Sequence, residues 1–202
     1  MEYADEVSTV AELLRPFLRQ REKVLVCYYS DLNCTLWKSA AAAVEQLGGD
    51  VSLFDGRQTW QALLRQAFSQ RATVLIGAPR MILGIAKIAR ATGTPLPVRH
   101  VVLLGCDQEP WLHKGIEESL DAIIHVFDMA NRQLDPLFAQ LDEMLLSWSS
   151  VLDYHAKRTE QGLRLEIVVF PGRQLPKLPS GASITVRPWR PGVDIPYCLP
   201  NG

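Results

Sequence analysis

The stretch that decides the fold runs from Val98 to Glu118 and reads VRHVVLLGCDQEPWLHKGIEE. Its apolar run Val101–Leu104 is typical of a strand buried in a parallel sheet, and Gly105 interrupts the run. Pro110 then opens a predicted helix, because the first helical turn needs no amide donor from that residue. Ligands of open α/β sheets lie outside the carboxyl ends of the strands, so the polar turn Cys106–Glu109 is a candidate ligand site.

The same unit of a strand and a helix repeats along most of the chain. Apolar strands are predicted at 23–29, 50–54, 73–77 and 122–127, and helices at 8–20, 33–47 and 59–69, from Pro79 and from Pro136. The strands are apolar throughout rather than alternating, which is typical of a parallel sheet covered by helices on both faces. The predicted fold class is therefore α/β.

The pattern changes after Trp148. Strands are predicted at 151–154, 163–170 and 183–187, and turns rich in glycine and proline join them. Apolar residues alternate along 163–169, which indicates a sheet with one solvated face. We therefore expect an α/β layer over residues 1–149, followed by a small and mostly antiparallel β region over residues 150–202 that packs on it.

The composition is that of an ordinary globular chain: of 202 residues, 48% are hydrophobic and 21% are charged, and the net charge is −1. This balance gives no electrostatic reason to bind nucleic acid or an anionic membrane, so neither is expected as a partner. The acidic start MEYADEVSTV lacks the basic and apolar pattern of a signal peptide. The four cysteines are scattered and form no C-x-x-C pair, so we expect free thiols and a cytoplasmic location.

Four strings of the sequence resemble one known family. They are KVLVCYYSDLNCTLWKSAAAAVEQLGGDV, TVLIGAPRMILGIAKIA, LLGCDQEPWLHKGIEESLDAIIHVFD and EIVVFPGRQLPKLPSGASITVRPWRPGVDIPY. The third is similar to the strand–GAEPW–helix segment of the phenylacetate–coenzyme A ligase branch of the adenylate-forming enzymes. From Glu22 to Tyr197 the order of elements also follows the middle of such a ligase. The resemblance implies a truncated core of the adenylate-forming ligase fold, with AMP, ATP or coenzyme A as the cofactors of the family.

Several residues that this family uses have no counterpart here. No Ser/Thr/Gly-rich phosphate loop precedes Lys23, and Val126–Ala130 stand where the family has its Tyr-Gly-x-Ser/Thr-Glu motif, with Asp128 as the one carboxylate. Asn201 takes the place of the ribose-binding aspartate, and the sequence stops at Gly202 before a counterpart of the C-terminal domain with its catalytic lysine. The resemblance therefore implies a chain that does not adenylate an acid by itself, and no catalytic residue is predicted.

The candidate ligand-binding residues follow the ends of the predicted strands. They are Tyr29, Asp31, Gly77, Pro79, Gly105, Cys106, Asp107, Glu109, Phe127 and Asp128. In the turn after the central strand, Asp107 or Glu109 would receive a hydroxyl or an amine of the ligand. The alternative is a solvated turn whose carboxylates favour the helix N-terminus, and turn or capping roles are the alternative for the residues after the first strand.

Other reactive side chains are predicted to have structural roles. His125 lies in an apolar strand and is expected to be a core or strand-end histidine, and Cys106 is expected to be buried and inert. The histidines and cysteines show no ligand spacing, so no metal site is predicted. The segment RPWRPGVDIP, residues 187–196, is predicted to be an interaction edge, which favours a homodimer or a partner chain.

Three functions are compatible with the sequence. The first is a non-catalytic relative of acyl– and aryl–coenzyme A ligases that binds a small carboxylic acid or a partner protein. The second is a subunit of a split ligase, which would make the chain a fragment of an ATP-dependent acid–coenzyme A ligase. The third is an unrelated Rossmann-like nucleotide-binding protein. The missing Tyr-Gly-x-Ser/Thr-Glu motif argues against the second, and the missing glycine fingerprint argues against the third.

Overall fold

The structure is a computed structural model that describes residues 3–29, 35–104, 110–127, 136–160, 162–175, 178 and 181–196. Its larger sheet has five parallel strands in the order β2-β1-β3-β4-β5. These strands are β1 (Lys23–Tyr28), β2 (Asp50–Asp55), β3 (Val74–Gly77), β4 (His100–Leu104) and β5 (Ile123–Phe127). The parallel α/β layer predicted from the apolar strands is therefore confirmed.

Helices cover both faces of this sheet, and they are α1 (Tyr3–Leu14), α2 (Thr35–Gln46), α3 (Trp60–Ser69), α4 (Pro79–Thr92), α5 (Pro110–Glu117) and α6 (Pro136–Leu141). Alternate residues of each inner strand enter two separate cores. Val24 and Val26 pack with α1 and α2 on one face, whereas Leu25 and Cys27 pack with α3 and α4 on the other. Because both faces of β1, β3 and β4 are buried, these strands are apolar at nearly every position.

Two helices differ from the prediction. The first helix ends at Leu14 rather than near residue 20, since Pro16 disfavours helical backbone in the residue before it. It also begins earlier, at Tyr3 rather than Ser8. The last helix continues beyond α6 as a π-helical segment, Asp142–Leu146, and a turn over residues 147–150 then leads into the second sheet. The predicted division of the chain at residues 149 and 150 stays a prediction.

The second sheet has three strands, namely β6 (Val151–Thr159), β7 (Gly162–Val169) and β8 (Ala182–Pro188). β6 and β7 form an antiparallel hairpin, but β8 pairs parallel to β7, so the sheet is mixed rather than mostly antiparallel. Residues 170–181 supply the long connection that a parallel neighbour needs, whereas their glycine- and proline-rich turns were expected to join strands of a mostly antiparallel region.

Two contacts fix the small sheet against the larger one. The carbonyl of Asp194, in the turn after β8, accepts the amide hydrogen of Trp60 at 2.9 Å, at the first turn of α3. On the other side, Arg80 in the first turn of α4 donates to Asp153 of β6. The small sheet thus lies beside the carboxyl edge of the five strands, where α3 and α4 begin.

Candidate functional site at the carboxyl edge of the five-stranded sheet

In doubly wound sheets a crevice opens where the strand order reverses, which in this sheet is between β1 and β3. From β1 the chain crosses to β2 on one side, and from β3 it crosses to β4 on the other, so the connecting helices α2 and α4 lie on opposite faces. Doubly wound sheets bind ligands at such a reversal, outside the carboxyl ends of the strands. Tyr29 follows β1, and Gly77 and Pro79 end β3 and begin α4, so three predicted site residues meet at this crevice.

Tyr29 directly follows β1 and lies beneath the loop that follows β2. Its side chain is buried, and its ring packs over Gly56, where an added Cβ would lie 2.6 Å from Tyr29 Cδ1 and 2.7 Å from Met81 Cε. Gly56 also donates its amide hydrogen to the carbonyl of Tyr28 at 2.7 Å. Glycine at this position therefore allows the loop after β2 to close over the tyrosine.

Gly77 brings the two central strands together at the same place. A Cβ on Gly77 would lie 2.9 Å from the carbonyl oxygen of Cys27 and 3.1 Å from its Cβ. A side chain at position 77 would therefore clash with β1 and with Cδ1 of Ile82, which would lie 3.1 Å from its Cβ. Burial raises the pKa of the Cys27 thiol, so this cysteine is a neutral core residue and not a nucleophile.

The N-terminus of α4 adds a partial positive charge. Its N-cap residue, Ala78, has no side-chain oxygen to accept a hydrogen bond from the first-turn amides, and Pro79 occupies the next position. A helix of this length with an uncapped start favours a negative group near its first turn. The crevice is accordingly suited to a carboxylate or another anion.

The Arg80 side chain lies in a buried polar cluster and also interacts electrostatically with Tyr29. Its Nε and Nη2 lie 3.0 and 2.8 Å from Asp153 Oδ1, and its Nη1 lies 3.5 Å from Asp142 Oδ1. The guanidinium also stacks on the Tyr154 ring at 4.2 Å, while the Tyr154 hydroxyl donates to Asp142 at 2.7 Å. Burial alone would lower the pKa of Arg80, but the carboxylates of Asp153 and Asp142 outweigh it and raise the pKa.

Lys87 lies two turns further along the same face of α4. Its ammonium group donates to three backbone carbonyls at the end of the π-helical segment and the start of β6, those of Leu146, Trp148 and Val151. Burial lowers the pKa of Lys87 to about 7. Together Arg80 and Lys87 bind α4 to the start of the small sheet.

A pair of histidines lies near the opposite end of the sheet. His100 Nδ1 and His125 Nε2 are 3.1 Å apart, and the rings stack on Phe17 with centroid distances of 5.2 and 3.9 Å. Burial and the neighbouring cations Arg99 and Arg19 lower the pKa of His100, although Glu22 opposes them. Burial, followed by the charge of His100, lowers the pKa of His125. His125 is thus a paired structural histidine.

The structure brings together only part of the predicted site. Phe127 ends β5, two strands away from β3, and is half-buried. Six predicted residues lie outside the described part of the chain, namely Asp31, Gly105, Cys106, Asp107, Glu109 and Asp128. They stay predictions.

The buried polar cluster of Arg80, Lys87, Asp142 and Asp153 was not predicted from the sequence. Its one visible signal is that Arg80 and Lys87 recur two turns apart on a helix whose residues Met81 to Ala89 are otherwise apolar. Among the described residues, no group of three or more His, Cys, Asp or Glu side chains is placed to hold a metal ion. Within the same residues, no helix has the length and apolar character needed to cross a membrane.

Similarity to known proteins is found in structure but not in sequence. No protein-family model matches the chain, and no curated protein matches its sequence. An open conformation of 2-hydroxyisobutyryl-CoA ligase in complex with 2-HIB-AMP and CoA matches with a TM-score of 0.54 and 18% identity, over 61% of this chain and 28% of the ligase. The thioesterification state of that ligase matches with a TM-score of 0.52 and 16% identity, over the same shares.

The A domain of carboxylic acid reductase from Segniliparus rugosus, in complex with AMP and a co-purified carboxylic acid, has a TM-score of 0.47 and 14% identity over 62% of this chain and 21% of its own length. The fold assignment rests on the two ligase structures whose TM-scores exceed 0.5. This chain spans 28% of the length of that ligase. Over 61% of its own length it has the fold of part of an adenylate-forming acyl-CoA ligase.

Proposed function

We propose that this chain is a non-catalytic relative of acyl– and aryl–coenzyme A ligases that binds a small carboxylic acid. The observation that carries the proposal is the crevice between β1 and β3, on a fold shared with a ligase whose structure holds an acyl adenylate. The uncapped start of α4 lies at this crevice, and it favours the carboxylate over a neutral ligand. The phenylacetate–coenzyme A ligase branch is the proposed origin, and the cytoplasm the proposed location.

The non-catalytic part of the proposal is supported by the end of β5. This strand stops at Phe127. The sequence continues with Asp128, Met129 and Ala130, in the place where the resembling family has Tyr-Gly-x-Ser/Thr-Glu. Without that tyrosine and glutamate, the chain lacks the family's stacking and magnesium-binding side chains for ATP.

Two alternatives make different demands on the chain. A split ligase would need a second chain to supply the parts of the fold beyond the 28% that this chain spans. A Rossmann-like nucleotide-binding protein would use the same crevice, but no glycine fingerprint follows β1, after which the sequence reads Tyr29, Ser30 and Asp31. The chain could instead bind a partner protein, including a second copy of itself. The predicted interaction edge, residues 187–196, would be the surface for this partner, and its Val193 and Ile195 side chains are exposed.

The test is a thermal-shift series with ATP–Mg²⁺, AMP, coenzyme A, arylacetic acids and fatty acids. An acid at a concentration one hundred times its Kd should stabilise the fold by about 2.7 kcal/mol, and the nucleotides should not. Stabilisation by ATP or AMP contradicts the non-catalytic proposal, and acid-dependent pyrophosphate release would then support the split ligase. If neither acids nor nucleotides shift the melting temperature, the small-acid proposal fails and a partner-binding role takes its place.

Ala78 offers a matched pair of variants for this test. Its extended backbone at the N-cap, with φ −64° and ψ 135°, suits a capping side chain. Ala78→Asp and Ala78→Asn should both cap α4, but only the aspartate adds a negative charge at the crevice. We expect the aspartate variant to lose acid binding and the asparagine variant to retain more of it. Equal binding of the acid by the two variants would mean that the acid does not bind at the N-terminus of α4.

A further inference from the structure

We propose that the amino edge of the five-stranded sheet is a docking surface for an acidic, apolar segment of a partner protein. This edge is opposite the crevice, so the inference goes beyond the proposed function and does not depend on it. The basic edge consists of the cations that precede or begin β1, β3 and β4, namely Arg19, Arg21, Lys23, Arg71 and Arg99.

The first observation is an excess of positive charge. All five cations are exposed, while the whole chain has a net charge of −1. Lys23 pairs with Asp50, and Arg99 pairs with Glu22. Arg19, Arg21 and Arg71 have no ion pair with any described residue. The basic edge therefore presents three guanidinium groups that are not needed inside the protein.

The second observation is the backbone at two of these arginines. Among the described residues that are not glycine, Arg21 and Arg71 alone have positive φ, at 60° and 52°. They occupy equivalent positions in adjacent strands, because Val24 pairs with Val74 and each arginine comes three residues earlier. Left-handed backbone is strained for a residue with a Cβ, and glycine would relieve it.

At Arg71 the left-handed residue follows the C-cap of α3, where the amide of Ala72 donates to the carbonyl of Ala67 at 3.0 Å. The amide of Arg21 donates to the carbonyl of Gly48 at 2.7 Å. These bonds hold the two arginines at matched positions along the edge.

The third observation is a groove beside Arg71. A cavity of about 560 Å³ is lined by Phe68, Ser69, Arg71 and the run Pro95–Pro97. Phe68 is 52% exposed, which is unusual for a phenylalanine on an amphipathic helix. A second cavity of about 410 Å³ shares Ser69 and Arg71 and continues to the ion pair of Lys23 and Asp50. The groove thus joins an apolar end to the basic edge.

This combination selects the kind of partner. Guanidinium groups bind carboxylates in bidentate pairs, and the apolar end accepts a side chain such as leucine or phenylalanine. A nucleic acid or a free inorganic anion would use the charges but not the proline-lined end of the groove. The surface therefore fits an acidic peptide segment with interspersed apolar side chains.

The test uses a fluorescein-labelled peptide of alternating glutamate and leucine, with fluorescence anisotropy as the readout. We expect binding that weakens as salt rises. A peptide with glutamine in place of glutamate, and an oligothymidylate of the same charge, should both bind more weakly. Equal binding of either probe would overturn the proposal, because charge or apolar contact alone would then be sufficient.

Arg21→Asn combined with Arg71→Asn is the informative variant, since asparagine tolerates left-handed backbone without a charge. We expect peptide affinity to fall about tenfold or more, with an unchanged or higher Tm. Lys157→Gln with Arg164→Gln removes the same charge from exposed positions of β6 and β7 in the small sheet and should change neither property. An equal loss of affinity in both double variants would contradict a specific surface, as would unchanged affinity in the first. If the Tm of the asparagine variant is lower than that of the wild type, the double variant Arg21→Gly with Arg71→Gly is measured in its place. We expect the same fall in peptide affinity.

Discussion

Arg80 of α4 and Asp153 of β6 form a buried ion pair between the two sheets, in which Nε and Nη2 donate to the same carboxylate oxygen at 3.0 and 2.8 Å. Asp153 is 1% exposed and also accepts the amide hydrogen of Tyr154 at 2.9 Å. The pair explains how a short sheet of three strands keeps one position relative to the helix that begins at the crevice.

Removing one partner of this pair should be more harmful than removing both. Asp153→Asn leaves the Arg80 guanidinium buried without its main counter-charge, so we expect a loss of about 3 kcal/mol or more in the free energy of unfolding. Arg80→Met with Asp153→Leu removes both charges and should recover much of that loss. Urea denaturation measures both variants. A double variant as unstable as Asp153→Asn would mean that the pair is not the source of the effect.

Lys87 should give the protein a pH dependence above neutrality. Burial, partly offset by Asp153 and reinforced by Arg80, lowers its folded-state pKa to about 7, against an ordinary value of 10.5. Between these values the unfolded chain binds the proton and the folded chain does not, so stability rises with pH. The slope from this residue is at most about 1.4 kcal/mol per pH unit.

The measurement for Lys87 is the difference in unfolding free energy between the wild type and Lys87→Met, followed from pH 7 to 10. We expect the wild type to gain stability relative to the variant across this window. Other titrating groups are common to both proteins and cancel in the difference. A constant difference would show that Lys87 stays charged on its three carbonyls throughout.

The pair of His100 and His125 should make stability depend on pH on the acidic side of neutrality. The folded-state pKa of both His100 and His125 is lowered from 6.5, so the unfolded chain takes up protons first as the pH falls. Stability contributed by the pair is therefore present above pH 6.5 and decreases below it. We expect Tm to fall between pH 7 and pH 5 by less in His125→Gln than in the wild type. Imidazole pKa values at or above 6.5, measured by NMR, would contradict this assignment.

Gly84 is predicted to be a packing requirement rather than a flexible point. A Cβ there would lie 2.1 Å from Cη2 of Trp60, so the ring crosses α4 directly over the glycine. Gly84→Ala should therefore cost about 2 kcal/mol, although alanine is the better helix former by about 1 kcal/mol. Gly115→Ala in α5 is the control, because its Cβ would meet only the flexible Leu83 side chain, at 3.0 Å. Equal effects of the two substitutions in urea denaturation would rule out the Trp60 contact as the cause.

The fold was largely predictable because its signals are local. Each inner strand is a short run of apolar residues ended by a turn residue, as in Val74–Gly77 before Pro79, and periodicity identifies such elements. The parallel pairing of β8 with β7 was not predictable, since turn residues between two strands do not determine whether the strands pair parallel or antiparallel. The early end of α1 at Leu14 depended on how Pro16 acts on the residue before it.

The candidate site was predictable only in outline. The ends of β1 and β3 were recognised from the sequence, and the strand order places Tyr29 and Gly77 at one crevice. Arg80 and Asp153 were missed because they are distant in sequence, and no spacing rule connects two single charges on different elements. The His100–His125 contact was missed for the same reason, although His125 had been expected to be a core or strand-end histidine.

The hydrogen bond from the Trp60 amide to the Asp194 carbonyl has a consequence for the order of folding during synthesis. Trp60 leaves the ribosome long before Asp194, so the first turn of α3 forms without this acceptor. In the same way, Arg80 is synthesised before its partner Asp153. A nascent α/β layer is therefore incomplete where its crevice will be, and the small sheet finishes it last. Translation slowed before residue 150 would expose that unfinished edge to chaperones for longer.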